Sequence, residues 1–147
     1  MENLYKAQNA RHQQAINDYL HQFAFFAFSD EQFREGLDKL GLTLEDKGAL
    51  VTIPGGGFIL KDKADGFREI LVTAGQERQA ALADPESGYQ FALDMFLYEL
   101  ANHEYTYTGD ESETLAALGF TCEDIAKSPQ LSKALREAEK ILLKEEA

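Results

Sequence analysis

A chain of 147 residues, 44% hydrophobic and 11% aromatic, can bury a core without covalent staples. Its one cysteine, Cys122, excludes an intramolecular disulfide, and no window reaches the ~18 apolar residues of a membrane span. The formal net charge of −12 and the pI of about 4.6 argue against a phosphate-binding surface.

The charge is unevenly placed. From Arg78 to Lys127 the intervening chain holds no lysine or arginine but ten carboxylates, among them Glu104, Asp110, Glu111, Glu113, Glu123 and Asp124. Such a stretch serves either as a solvated face that keeps the protein soluble or as a docking surface for a basic protein. The N-terminal MENLYKAQNARHQQ has no apolar core, so no secretory signal is expected, and the expected compartment is the cytoplasm.

Residues 2–22 read as a moderately amphipathic helix, with Leu4, Ala7, Arg11, Ala15 and Tyr19 near one stripe. Phe23, Phe25, Phe26 and Phe28 follow, as a short buried strand or an apolar connector that fills core rather than boxing a ligand. Ser29 and Gln32 form a capping-box pattern for a helix that carries Phe33, Leu37 and Leu40 and stops at Gly41. The stretches 49–53 and 58–60 are β-prone, and Pro54-Gly55-Gly56-Gly57 between them predicts a small hairpin over about 49–61. The three glycines lack the spacing and the Lys-Ser/Thr of a phosphate loop, so they read as a tight turn.

A helix is expected over 62–83, broken by Asp84-Pro85-Glu86-Ser87-Gly88, and the most apolar helix follows over 89–103. Asp110 is expected to cap a helix that ends at Gly119, and Thr121 to cap a brief helical turn. Ser128-Pro129 opens a last helix with Leu131, Leu135, Ala138 and Leu142 on one stripe. The whole predicts one α+β domain over 1–147, mainly helical with one small β-hairpin and about six helical segments.

At 100° per residue, Gln90 and Asp94 point outward from the helix over 89–103, while Glu99 and His103 share the apolar face with Ala92, Met95 and Phe96. Glu99 and His103 are one turn apart, so their side chains can meet. With Asp110 they make three candidate ligands for a structural zinc ion, and Cys122 or His21 could supply a fourth. The alternatives are that His103 caps the helix C-terminus beside Glu99, or that the pair works in acid–base catalysis. Cys122 is a poor nucleophile, because Glu123 and Asp124 oppose its ionisation; it reads as a small buried residue or a ligand.

Four runs taken together resemble a known family. They are Phe25-Phe26-Ala27-Phe28-Ser29-Asp30-Glu31-Gln32-Phe33, Gly55-Gly56-Gly57-Phe58-Ile59, the run from Tyr98 through Asn102-His103-Glu104-Tyr105 to Thr108-Gly109-Asp110, and Ala117-Leu118-Gly119. The family consists of small acidic proteins of unknown function encoded on bacterial phages, plasmids and other mobile elements. The resemblance implies a setting rather than a reaction. In that setting the expected function is non-enzymatic. The protein would bind and inhibit a host nucleic-acid-handling protein with a basic surface, such as a CRISPR-Cas nuclease, in the manner of an anti-CRISPR protein. Its partner-binding residues would be Glu104, Asp110, Glu111, Glu113, Glu123 and Asp124, with neither nucleic acid nor membrane bound directly. A small metal-dependent hydrolase using the His103 region and an accessory partner of a basic replication or mobilisation protein are the alternatives.

Overall fold

The computed structural model describes residues 2–146, and its contacts divide the chain into two compact units. The first comprises Met1–Ala10 with Glu77–Ala147, the second Arg11–Gln76. The divisions fall within helix α1 (Leu4–Phe23) and helix α3 (Ala64–Ala83).

The second unit is built around a three-stranded antiparallel sheet in the order β1-β3-β2. The expected hairpin is β2 (Leu50–Ile53) and β3 (Gly57–Leu60), paired from Leu50 with Leu60 to Ile53 with Gly57. Gly55 and Gly56 turn it with φ of 86° and 84°, a region a side chain enters only with strain, so the glycine run is the tight turn expected. The phenylalanine run adds the third strand, β1 (Ala24–Phe26), which sets Phe25 opposite Phe58. Helix α2 (Asp30–Lys39) lies on this sheet through Phe33, whose ring stands 5.6 Å from that of Phe25 and 5.1 Å from that of Phe58. Gly36 faces the Phe25 ring, which occupies the place a Cβ would take. The Ser29 hydroxyl accepts the Gln32 N–H at 3.2 Å, as the capping pattern predicts. The Gln32 amide oxygen reaches one residue further back than expected and accepts the Phe28 N–H at 2.7 Å. The Tyr19 hydroxyl donates to the Lys63 carbonyl at 2.6 Å and its ring packs on Phe23, joining the end of α1 to the start of α3.

In the first unit the core lies between α4 (Gly88–Asn102) and α8 (Pro129–Glu146). Phe91, Ala92, Met95, Phe96 and Leu100 meet Ala134, Leu135, Ala138 and Leu142 in one buried cluster. Burial of the Phe, Met and Leu side chains among them stabilises by about 1.5–3 kcal/mol each before chain entropy is counted. Tyr5 joins the cluster from the start of α1, its ring 5.9 Å from Phe91 and 5.7 Å from Tyr98. Three short helices bridge the pair: α5 (Tyr105–Thr108), α6 (Ser112–Leu118) and α7 (Cys122–Lys127). The chain is thus α+β and mainly helical, with eight α-helices among the described residues.

Three expectations are corrected in this unit. Asp94, expected on the outside, is 7% exposed. Its carboxylate accepts the Leu4 N–H and the Gln90 side-chain N–H, each at 2.8 Å, so it satisfies a donor that the first turn of α1 cannot satisfy itself. Asp110 is not the N-cap of α6; Glu111 holds that position, and Asp110 accepts the Ser112 N–H at 2.8 Å in a turn just before it. Cys122, expected buried or ligating, is an exposed free thiol at the start of α7.

Candidate acidic interaction site

Glu99, His103 and Asp110 are each turned to a different local partner. Glu99 sits on α4, half-buried, with the Tyr5 phenol in its neighbourhood. Burial, and then the Glu99 charge, push the Tyr5 phenol up to about 12. His103 stands at the C-cap of α4, and its Nδ1 lies 3.6 Å from the Glu113 carboxylate. Its expected placement at the helix end holds, but its side-chain partner is Glu113 rather than Glu99. Asp110 is exposed and engaged by Ser112, whose side-chain and backbone hydrogen bonds hold its carboxyl below the usual range.

Among the described residues no three of His, Cys, Asp or Glu are grouped so that they could hold a metal ion. The His103 N–H still bonds to the Glu99 carbonyl at 3.0 Å, but α4 ends at Asn102 and the His103 side chain is turned to Glu113 rather than to Glu99. Glu104 then enters the left-handed region at φ 58°, the one non-glycine residue to do so among those described, and redirects the chain into α5. Cys122 is exposed, and His21 lies in the last turn of α1 in the second unit.

The acidic character is concentrated in the first unit, whose sequence holds 16 Asp and Glu against 7 Lys and Arg; the second holds 10 against 7. Of the carboxylates expected to face a partner, Glu104, Asp110 and Asp124 are exposed, and the Glu113 side chain is 79% exposed. Glu123 is also exposed but lies 2.8 Å from Lys127 one turn on, a solvated pair of small energetic weight. Asp124 and Thr121 cap α7 reciprocally, the carboxylate accepting the Thr121 N–H at 2.8 Å and the hydroxyl accepting the Asp124 N–H at 3.1 Å. These bonds hold Asp124 below the usual carboxyl range, and the N–H groups of Ser87 and Glu86 do the same for Asp84. The turn and cap chemistry that folds the segment therefore also keeps it ionised. Tyr107, 82% exposed, stands in the middle of this sequence.

Glu111 differs from the other five. It is half-buried, and the neighbouring Glu139 carboxyl on α8, then burial, push it up to about 7; Arg136 opposes the shift. Burial first, then the nearby Glu139 carboxylate, push the Tyr105 phenol up to about 12. The sequence reading did not single out Glu139, and Tyr105 entered it only within the run around His103. A signal was present: Glu139 is one turn after Leu135 and next to Ala138, so it borders the apolar stripe of α8.

The profile of a family of unknown function, DUF7659, matches residues 4–140. The chain belongs to that family. No curated protein and no solved structure matches it. No helix of the described residues is long and apolar enough to cross a membrane.

Proposed function

We propose that this member of the DUF7659 family is a non-enzymatic interaction protein whose acidic first unit docks on the basic surface of a nucleic-acid-handling protein and inhibits it. In its most concrete form the partner is a CRISPR-Cas nuclease of the host of a mobile element. The observation that carries the reading is the uninterrupted negative character between Arg78 and Lys127. Exposed carboxylates at Glu104, Asp110, Glu113 and Asp124 present that character, and local hydrogen bonds to Asp84, Asp110 and Asp124 favour ionisation. A nuclease of that kind holds its guide duplex in a strongly positive channel, and an acidic surface is attracted to the same charges that attract phosphates.

Capture of purified nuclease–guide complexes on the immobilised chain, followed by a cleavage assay, tests the reading. Saturable binding with loss of cleavage supports it. Cleavage unaffected at saturating protein across the nuclease types overturns the nuclease form. Capture of a basic replication or mobilisation protein instead would redirect the same acidic face to that partner.

A further inference from the structure

We propose that the open edge of β1 is a docking groove for an extended peptide segment of a partner protein, one in which an apolar residue is flanked by lysine or arginine. The segment adds to the sheet beside Phe26 and sets a flanking cation against Glu35. The groove lies in the second unit and is independent of the acidic face of the first.

The ladder defines the edge. In the order β1-β3-β2, one side of β1 has no strand beside it. The Ala27 N–H donates to the Gly56 carbonyl at 3.1 Å, one step beyond the pairing of Phe26 with Gly57. Bonded and unbonded pairs alternate along an antiparallel ladder, so Phe25 exchanges its backbone bonds with Phe58. Ala24 and Phe26 then turn their N–H and C=O groups away from β3. The Lys39 ammonium donates to the Ala24 carbonyl at 2.9 Å, as that orientation requires. At the other end the Gln32 amide oxygen accepts the Phe28 N–H at 2.7 Å. Between these two side chains the Phe26 N–H and C=O have no partner among the described residues.

A groove runs along this edge, with Phe26 and Phe28 on one side and Gln32, Glu35 and Lys39 of α2 on the other. Its strand side is apolar and open: Phe26 is 46% exposed and Phe28 78%. Their rings lie over Gly57 and Gly56 of the hairpin turn, which have no side chains to cover them. An edge with free backbone groups beside exposed aromatic rings is suited to strand addition, in which main-chain bonds hold the peptide and alternate side chains select it.

The alternation of a strand sets the chemistry of the occupant. A residue paired with Phe26 places its side chain on the face of Phe26 and Phe28, so an apolar side chain fits there. Its two neighbours point to the Phe25 face, which α2 covers and where Glu35 lines the groove. Glu35 is exposed and has no ion pair among the described residues, while Lys39 one turn on is engaged by the Ala24 carbonyl. A lysine or arginine at a neighbouring position therefore meets an uncompensated carboxylate. A second copy docked through its own β1 lacks this match, since Phe25 and Ala27 flank its Phe26 and neither offers a cation.

The test is an NMR titration of the full chain with a blocked heptapeptide that alternates lysine and valine, beside the matching glutamate–valine peptide. Saturable shifts centred on the amides of Phe26 and Phe28 are expected, with the glutamate peptide at least about fivefold weaker. N-methylation of the valines removes the donors that face Phe26 and leaves the protein untouched; it is expected to weaken binding about tenfold. E35K, a change at an exposed position, is expected to reverse the preference between the two peptides. E104Q/E113Q/E123Q removes charge from the first unit and is expected to leave the shifts at Phe26 in place, which separates the groove from diffuse attraction of a basic peptide to an acidic protein. Absence of shifts at Phe26 and Phe28, binding indifferent to N-methylation, an unchanged preference in E35K, or a peptide-free dimer closed through Phe26 would each overturn the proposal.

Discussion

The Asp94 carboxylate on α4 accepts the backbone N–H of Leu4 at 2.8 Å across ninety residues of sequence. Asn3 completes the junction: its side-chain oxygen accepts the Lys6 N–H at 2.8 Å and its side-chain N–H donates to the Asp94 carbonyl at 3.0 Å. The first turn of α1 is thereby fixed to the core helix by polar contacts, and Tyr5 enters the core directly after it.

Removing that carboxylate leaves the Leu4 and Gln90 donors without it. D94A is expected to destabilise by about 2–4 kcal/mol, from the lost charge-assisted bonds and the lost cap. D94N keeps one acceptor oxygen and is expected to cost less than half as much. Urea denaturation followed by circular dichroism reads both. Equal losses for the two variants would contradict the capping role.

Gly36 is the closest approach of α2 to the sheet. A Cβ there meets the Phe25 ring, and Phe25 is itself wedged against Phe33 and Phe58. G36A is expected to destabilise by about 1–3 kcal/mol through overpacking, although alanine is the better helix former. G48A, where a Cβ meets open space, serves as control. A stabilised G36A in thermal melts would show that α2 does not sit on this ring.

The pH dependence of stability has two opposed parts. Glu111 has a folded-state value near 7 against an ordinary 4.5, so its protonated form is favoured by folding. Its contribution is fully present below about 4.5 and is lost as the pH rises through 7. Asp84, Asp110 and Asp124 are held below 3.8, so their contributions are present above that value and are lost as the pH falls through their folded values. Chemical denaturation from acid to mildly alkaline pH is expected to show stability falling at both ends. E111Q is expected to remove the decline between about 5 and 8 and leave the acid limb unchanged.

His103 and Glu113 form a pair at 3.6 Å that is open to solvent on the Glu113 side, 79% exposed against 21% for His103. H103A is therefore expected to change stability by less than about 1 kcal/mol, in line with exposed ion pairs. A structural zinc ligand would behave otherwise, since the metal-binding energy is folding energy. Thermal melts of H103A with and without added zinc separate the two. A large loss in H103A together with a zinc-dependent melting temperature would favour a metal site at His103.

What could be read from the sequence was what local chemistry decides. Ser29 starts α2 and Gly41 follows its end, three glycines turn the hairpin, and an apolar run makes α4. What could not be read depends on residues far apart. The phenylalanine run shows that something is buried near Phe25, but only β3 makes it a strand. Asp94 looks like a surface residue until the start of α1 arrives with a donor to satisfy. The site was half legible. Helical spacing brings Glu99 and His103 one turn apart, yet the His103 side chain meets Glu113 from α6 and Glu99 lies beside Tyr5 from α1. The Glu111–Glu139 contact joins residues 28 apart, and its one local trace is a glutamate on the border of an apolar stripe.

The proposed docking rests on charge, so the salt dependence of binding tests it most directly. The measurement is the affinity of the chain for a nuclease–guide complex between ~50 and ~200 mM salt, with the E104Q/E113Q/E123Q variant beside it. None of the three side chains makes a helix-capping hydrogen bond: Glu104 holds the N-cap position of α5 through its backbone alone, and Glu113 and Glu123 face His103 and Lys127, so the fold is expected to survive. Docking through the acidic face predicts affinity that falls at least about tenfold over this range, and a variant that binds more weakly at low salt with a shallower slope. Affinity independent of salt and unchanged by the three substitutions would contradict it.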